Sequence, residues 1–120
     1  MAKRAALRKR AEYEAVYSRG KSWADPAVVL RAAPNGTTDT RCGYSVGKNL
    51  GKAVVRNKVR RRLREIMRLT RTKEGWDLVL IARTPAVERD YHQLKQAVEK
   101  LLARAGIFSE GHEISCPGAN

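Results

Sequence analysis

Residues 48–68 read KNLGKAVVRNKVRRRLREIMR, a segment with the apolar spacing of a helix. It carries nine basic residues and a single acid, Glu65. At ~100° per residue, its apolar side chains fall on one side of a helix and form a stripe wide enough to pack on a sheet. The stripe consists of Val55, Val59, Leu63, Ile66 and Met67. We therefore predict a central helix, entered through a loop at residues 47–52, with one buried face.

The opposite face of this helix is predicted to be cationic. Like charges one turn apart repel by ~0.2–0.5 kcal/mol per pair, and a merely solvated face usually mixes both signs. A polyanion relieves such repulsion by exchanging small counterions for phosphates. We therefore interpret the face as a nucleic-acid-binding surface, with a solvated face as the alternative. Its members are Asn57, Lys58, Arg60, Arg61, Arg64 and Arg68.

The composition agrees with this interpretation. The chain has 120 residues, of which 42% are hydrophobic, so a single domain with a modest core is expected. Its net charge of +13 indicates an anionic partner, either nucleic acid or an anionic membrane surface. No stretch approaches the ~20 apolar residues of a membrane span, and no secretory signal follows the basic N-terminus. A cytoplasmic protein with free thiols at Cys42 and Cys116 is expected.

The remaining elements follow from periodicity and from turn residues. An α+β fold is predicted, in which helices cover a small mixed sheet in the order helix, strands, helix, strand, helix. Residues 1–120 are expected to form one nucleic-acid-binding domain with flexible ends at residues 1–6 and 107–120. The predicted helices cover residues 7–18, the central stretch and residues 91–105, the last capped by Asp90 and ended by Gly106. The predicted strands cover residues 27–33 and 41–46, paired as a hairpin, and residues 77–82, buried on both faces, while residues 22–23 form a short strand or a turn.

Two tyrosines lie on one face of the first predicted helix. Tyr13 and Tyr17 are four residues apart, and a ring that faces the core buries much apolar area. The alternative is a platform on which unpaired bases stack, worth ~1–3 kcal/mol per base. Spacing alone favours the core.

The sequence lacks the residues that several kinds of catalytic and binding site require. The loop at residues 47–52 resembles a phosphate-binding loop, but Gly47 and Gly51 are separated by three residues instead of four, and Ala53 replaces the magnesium-binding hydroxyl. The acids are scattered, and neither His92 nor His112 has metal-ligand spacing. A DNA-binding helix-turn-helix is disfavoured because the central helix follows a strand. We expect a binding module without a catalytic or metal site of its own.

The segment at residues 41–68 resembles the protein subunit of bacterial ribonuclease P. The family pattern is a strand that ends in Gly-x-Ser-Val, then Lys, a Gly-x-Ala-Val turn, Arg-Asn-Arg and further basic residues. This chain matches it with Gly43, Ser45-Val46, Lys48, Gly51, Ala53-Val54 and Arg56-Asn57, and has Lys58 in place of the third arginine. The resemblance extends over about residues 5–105.

The resemblance implies a fold and a function. The central helix would join two parallel strands by a left-handed βαβ crossover, as in the second domain of ribosomal protein S5. The partners would be the catalytic RNA subunit and precursor tRNA, with no membrane or DNA. The RNA would use Mg²⁺ to remove the 5′ leader, while the protein would hold no cofactor and no catalytic residue. A ribosomal or other structural RNA-binding protein is the alternative.

The resemblance also assigns residues. The RNA-binding set is Lys48, Lys52, Arg56, Asn57, Lys58, Arg60, Arg61, Arg64 and Arg68. The cleft for the substrate leader is lined by Tyr13, Tyr17, Arg31 and Ser45, with Arg31 in place of a family aromatic. We expect the arginines to be free of the chain's own carboxylates and to border one groove with the two tyrosines.

Overall fold

The computed structural model describes residues 5–7 and 9–108. The α+β class and the order of the three helices are as predicted. Two short 3₁₀ helices, Lys48–Leu50 and Thr84–Glu88, were not predicted and precede α2 and α3. The regular elements are β1 (Ala5–Ala6), α1 (Arg10–Arg19), β2 (Lys21–Ala24), β3 (Val28–Pro34), β4 (Arg41–Val46), α2 (Ala53–Leu69), β5 (Trp76–Ala82) and α3 (Tyr91–Ala105).

The five strands form one mixed sheet in the order β1-β4-β5-β3-β2. β4 is parallel to both β1 and β5, whereas β3 is antiparallel to β5 and β2. The predicted hairpin between residues 27–33 and 41–46 is therefore wrong, because β5 lies between those strands. β5 is almost entirely apolar. Such a strand is most stable in the interior of a sheet, where it has a strand on each side and both of its faces are covered. The parallel pair β4 and β5 is joined through α2, as expected, and the hand of this crossover stays a prediction.

The two faces of the sheet are covered by different helices. On one face, α2 and α3 pack on the large core, in which Leu63 and Ile66 meet Leu78 and Leu80. On the other face, α1 packs over a smaller cluster that contains Val16. Alternate residues of a strand point to opposite faces, so even-numbered residues of β3, β4 and β5 point towards α2 and α3, and odd-numbered residues point towards α1.

The predicted stripe of α2 is confirmed. Val59, Leu63, Ile66 and Met67 are buried, and Val55 is half-buried. Burial of each such side chain contributes about 1.5–3 kcal/mol. No helix in residues 5–7 and 9–108 is long and apolar enough to cross a membrane.

The caps predicted for α3 are also confirmed. The Asp90 side chain accepts a hydrogen bond from the Gln93 amide at 2.8 Å, and the Gln93 side chain accepts one from the Asp90 amide at 3.0 Å. Gly106 adopts φ +76°, a left-handed conformation that ends a helix at little cost for glycine.

Residues 5–6 and 107–108, at the inner margins of the predicted flexible ends, make defined contacts. Ala5–Ala6 pairs with β4 as a short parallel strand, and Leu7 is buried instead of starting a helix, which begins at Arg10. Ile107 is buried, and Phe108 bridges to Thr72. These contacts could not be predicted from the sequence, because the apolar residues involved are isolated and show neither helical nor strand spacing. Residues 1–4 and 109–120, including Cys116, lie outside the described residues, and Cys42 is buried in the core.

Arg41 links β4, β5 and α1 through its guanidinium. Its Nε and Nη2 donate to the two carboxylate oxygens of Asp77 at 2.8 and 2.6 Å, and its Nη1 donates to Glu12 at 3.0 Å. Asn35 donates a further hydrogen bond to Asp77 at 2.9 Å. Burial alone would raise the pKa of Asp77, but the hydrogen bonds from Arg41 and Asn35 outweigh it and hold that pKa below its ordinary value.

Replacing Asp77 is expected to destabilise the protein in a pH-dependent way. Asp77→Asn should lower the free energy of unfolding at pH 7 by about 2–3 kcal/mol, less than for a fully buried pair because 31% of the Arg41 side chain is exposed. Because the folded-state pKa is depressed, the contribution of Asp77 is present above its ordinary pKa of 3.8 and is lost as pH falls through the lower folded value. Urea unfolding of the wild type and of Asp77→Asn between neutral and acidic pH measures this effect. The difference between their free energies of unfolding should shrink as the pH falls.

The control for this prediction is Asp39→Asn, which removes an exposed carboxylate that forms no ion pair within the described residues. It should leave stability nearly unchanged at every pH. Equal stability of the Asp77 variant and the wild type at pH 7 would contradict the prediction.

Candidate nucleic-acid interface

The outward face of α2 presents the predicted basic ridge, which we define as the RNA-binding set named above. Seven of the nine members are exposed, and Arg56 and Arg60 are half-buried. Arg60 donates a hydrogen bond from Nη1 to the Asn57 side chain at 2.8 Å, which orders both on the helix surface. Lys48 and Lys52 precede the helix, in a 3₁₀ turn and at the N-cap. The ridge therefore extends the full length of α2 and into the preceding loop.

Most of the ridge is free of ion pairs, as expected, but Arg68 is not. Its guanidinium donates two hydrogen bonds to Glu65, at 3.0 and 2.6 Å, and these lower the pKa of the Glu65 carboxyl. Within the described residues, Arg61 and Arg64 form no ion pair with a carboxylate. The expectation of an unneutralised face is correct for these two arginines and wrong for Arg68.

Arg64 contacts an aromatic ring that the sequence-based assignment left out. Its guanidinium carbon lies 5.9 Å from the ring centroid of Tyr44 in β4, within the range of a cation–π interaction. Tyr44 is half-buried against the core. The sequence offered one signal for Tyr44. It is the neighbour of Ser45, which was assigned to the leader cleft, and adjacent residues of a strand point to opposite faces. Arg62, absent from the predicted set, turns inwards and donates to the Arg89 carbonyl at 2.8 Å.

A second surface, the α1 face, gathers the residues predicted for a leader cleft. Strand register places them in two rows across the sheet. Arg31 and Gly43 flank Val79 in one row, and Ser45 pairs with Ile81 in the next row. Tyr13 and Tyr17 extend from α1 above these rows. The structure therefore brings Tyr13, Tyr17, Arg31 and Ser45 to one face of the sheet.

Tyr13 is seated on a glycine. A Cβ at position 43 would lie 2.5 Å from the Tyr13 Oη and 2.6 Å from its Cε1, so only glycine leaves room for the ring. The Tyr13 hydroxyl donates to the Leu7 carbonyl at 3.4 Å, and the ring packs against the cluster around Val16. Tyr13 thus has the half-buried position that its spacing favoured.

Tyr17 is more open, and Arg31 holds it in place. The Tyr17 side chain is 39% exposed. The Arg31 guanidinium lies 5.6 Å from the ring centroid, and its Nη2 donates to the Tyr17 carbonyl. The Nε of Arg31 is buried with no hydrogen-bond partner among the described residues. Arg31 therefore supports Tyr17 from the sheet, and its place as a substitute for a family aromatic stays a prediction.

The ridge and the tyrosines do not border one groove. α2 and α1 cover opposite faces of the sheet, so the expectation of a shared groove is wrong. Helical spacing identifies which side of each helix is polar, but the face on which a helix packs depends on non-local strand pairing. Two separate surfaces result, and β4 contributes to both.

The described residues contain no metal-binding cluster. No group of three or more His, Cys, Asp or Glu side chains in residues 5–7 and 9–108 could hold an ion. Glu12 and Asp77, the two acids brought together by the fold, are both bound by Arg41. His92 stacks edge-on against Tyr91 at the start of α3, and His112 lies outside the described residues.

A basic helix on one face of a mixed sheet, with exposed aromatic and cationic side chains on the other, defines a small nucleic-acid-binding protein. The sequence profile of the Ribonuclease P family matches residues 1–106. The ribonuclease P protein component of Caldanaerobacter subterraneus is 43% identical over 106 residues, which cover 87% of this chain and 91% of that protein. The protein component of Roseiflexus castenholzii is 46% identical over 84% of this chain and 85% of its own length.

Solved structures agree with this result. The Staphylococcus aureus RNase P protein superposes with a TM-score of 0.80 at 31% identity, covering 89% of this chain and 100% of its own. The RNase P protein from Thermotoga maritima gives a TM-score of 0.77 at 32% identity over 84% of this chain and 97% of its own. The chain belongs to the Ribonuclease P family and is a protein subunit of that ribonucleoprotein.

The close contact between the Tyr13 ring and Gly43 can be tested by adding a methyl group at position 43. Gly43→Ala should displace the ring and lower the free energy of unfolding by about 1–3 kcal/mol, as overpacking does in a well-filled site. Urea unfolding and the near-ultraviolet circular dichroism of the tyrosines report both effects.

Gly47→Ala is the matched control. There the new Cβ would meet only the side-chain amide of Asn49, which can rotate away. Unchanged tyrosine signals in Gly43→Ala, or equal losses in both variants, would argue against the seat.

Proposed function

We propose that this subunit contacts RNA on both faces of its sheet. The basic ridge on α2 binds the RNA subunit, and the α1 face holds the single-stranded 5′ leader of precursor tRNA during its removal. The observation that carries the leader assignment is the exposed Tyr17 ring, with the Arg31 guanidinium beneath it and an unpartnered Arg31 Nε. A ring and a cation can hold a nucleotide without reading its sequence.

The chemistry of the α1 face suits a leader of variable sequence. Every base has a π-face, so stacking tolerates any base and contributes about 1–3 kcal/mol per base. Tyr17 supplies the accessible ring, Tyr13 forms the inner wall, and the Ser45 hydroxyl offers a hydrogen bond one row along the sheet. Arg31 supplies charge for the leader backbone.

The ridge suits a folded RNA whose phosphates are fixed in space. Arginine binds phosphate through two parallel hydrogen bonds, which fixes orientation as well as charge. Lys58 has charge without that fork, so its contact is less directional. Arg61 and Arg64, which have no carboxylate partner among the described residues, are the strongest candidates for phosphate contacts.

In this proposal the RNA subunit performs the cleavage. The RNA subunit would hold Mg²⁺ ions, which would supply the activation of water for attack on the leader phosphodiester. The protein, in the cytoplasm, would provide substrate and RNA affinity with no cofactor of its own. A ribosomal or other structural RNA-binding protein, the alternative raised by composition, is disfavoured by the family match over residues 1–106.

Reconstitution with a bacterial RNA subunit at low magnesium tests the leader assignment. The wild-type protein is expected to restore cleavage of leader-bearing tRNA. Tyr17→Ala should weaken binding of precursor tRNA by about five- to 100-fold, the loss of one stacked base, and leave mature tRNA unaffected because it lacks a leader. Equilibrium binding of both tRNAs to the reconstituted particle measures the difference.

Tyr17→Phe is the control, since it retains the ring and should bind precursor nearly as well as wild type. Equal losses for precursor and mature tRNA in Tyr17→Ala would refute the leader assignment. RNA binding by the wild-type protein without any gain in cleavage would instead support a purely structural role.

Removing charge from the ridge tests the second contact. Arg61→Ala/Arg64→Ala should weaken binding of the RNA subunit and reduce the salt slope of log K by about 0.7–0.9 for each phosphate that the variant no longer neutralises. Titrations of the labelled RNA subunit at several salt concentrations give this slope.

The control removes the same charge from exposed cations of α3, as Lys100→Ala/Arg104→Ala. That variant should keep the wild-type slope apart from a small effect of net charge. An unchanged affinity and slope in Arg61→Ala/Arg64→Ala would exclude these arginines from the RNA contact.

A further inference from the structure

A pocket at the outer edge of the sheet belongs to neither RNA surface described above. Its volume is about 240 Å³, and Arg19, Lys21, Trp23 and Trp76 line it. In strand register Lys21 pairs with Ala32, Trp23 with Leu30 and Trp76 with Pro34. These positions point to the face covered by α3, away from Tyr17. β3 and β5 lie between β2 and β4, and Trp76 is the first residue of β5.

The walls of the pocket are aromatic. Trp23 and Trp76 are the only two tryptophans of the chain. Each is half-buried, with one part packed against the large core and the rest available at the pocket. Small side chains at Ala32 and Ala105 leave the space between them open. Two indoles that share a pocket offer flat apolar surface to a planar ligand.

The mouth of the pocket is cationic. Arg19 and Lys21 are exposed, and neither forms an ion pair within the described residues. The carboxylate of Asp77, whose pKa the charge of Arg19 helps to lower, is already bound by Arg41 on the other face of the sheet. Both cations are therefore available to an anionic ligand.

We propose that this pocket binds one unpaired nucleotide of an RNA, with the base against Trp23 and Trp76 and the phosphate between Arg19 and Lys21. The ligand class rests on the RNA-binding role proposed above. The volume lies below the ~300–1,000 Å³ of pockets for drug-sized molecules, which suits a single base. Aromatic stacking combined with backbone charge is the usual way to hold single-stranded RNA.

Intrinsic tryptophan fluorescence provides a direct test. Both tryptophans lie at the pocket, whereas the aromatic residues assigned to the leader cleft are tyrosines. Pentauridylate is titrated into the full chain without RNA subunit or tRNA, so the result does not depend on cleavage, and the tryptophan signal reports on the pocket and not on the tyrosines of the α1 face. Saturable quenching is expected. Trp23→Phe and Trp76→Phe, which each retain one fluorophore, show whether both indoles contact the base.

Arg19→Ala/Lys21→Ala should bind pentauridylate several-fold more weakly, with a salt slope lower by about 0.7 for each phosphate that is no longer neutralised. The matched control, Arg71→Ala/Arg83→Ala, removes two exposed cations elsewhere and should quench like wild type. Absence of saturable quenching would overturn the proposal, as would equal quenching of wild type and Arg19→Ala/Lys21→Ala at all salt concentrations.

Discussion

Two arginines of the sheet determine where α1 lies. Val16 is the only fully buried residue of that helix, so apolar contact alone fixes it poorly. Arg41 binds Glu12 at the start of the helix, and Arg31 binds the Tyr17 carbonyl at its end. Because Arg41 also forms the paired hydrogen bonds with Asp77, the first anchor is part of the connection between β4 and β5. The position of α1 above the sheet therefore depends on charged hydrogen bonds as well as on the small apolar cluster around Val16.

β4 contributes to both the basic ridge and the α1 face through the alternation of an extended strand. Gly43 seats Tyr13 on one face, and the next residue, Tyr44, meets Arg64 on the other. A small rotation of this strand would move both surfaces together. The sheet lies between them, with β5 buried at its centre. A protein of 120 residues can in this way present a different set of polar and aromatic side chains on each side of one sheet.

Local pattern predicted those features that depend on local physics. The stripe of α2, the capped α3 and the buried β5 follow from period and from cap residues such as Asp90 and Gly106. The position of β5 between β3 and β4 could not be found in this way, because strand order is set by pairing between distant segments. The prediction that the ridge and the tyrosines border one groove was wrong for the same reason. Arg31 could be assigned to the α1 face by resemblance, but its contact with the Tyr17 carbonyl required coordinates.

The placement of β5 has a consequence for synthesis on the ribosome. Among the strands of residues 5–7 and 9–108, β5 is the last to be made, yet it occupies the centre of the sheet. Until residue 82 has emerged, β3 and β4 lack their shared neighbour and expose unpaired edges, which are prone to intermolecular pairing. Contacts between distant segments also form slowly. The nascent chain must therefore complete its sheet in one late step, during which its dense positive charge discourages association with other copies of itself.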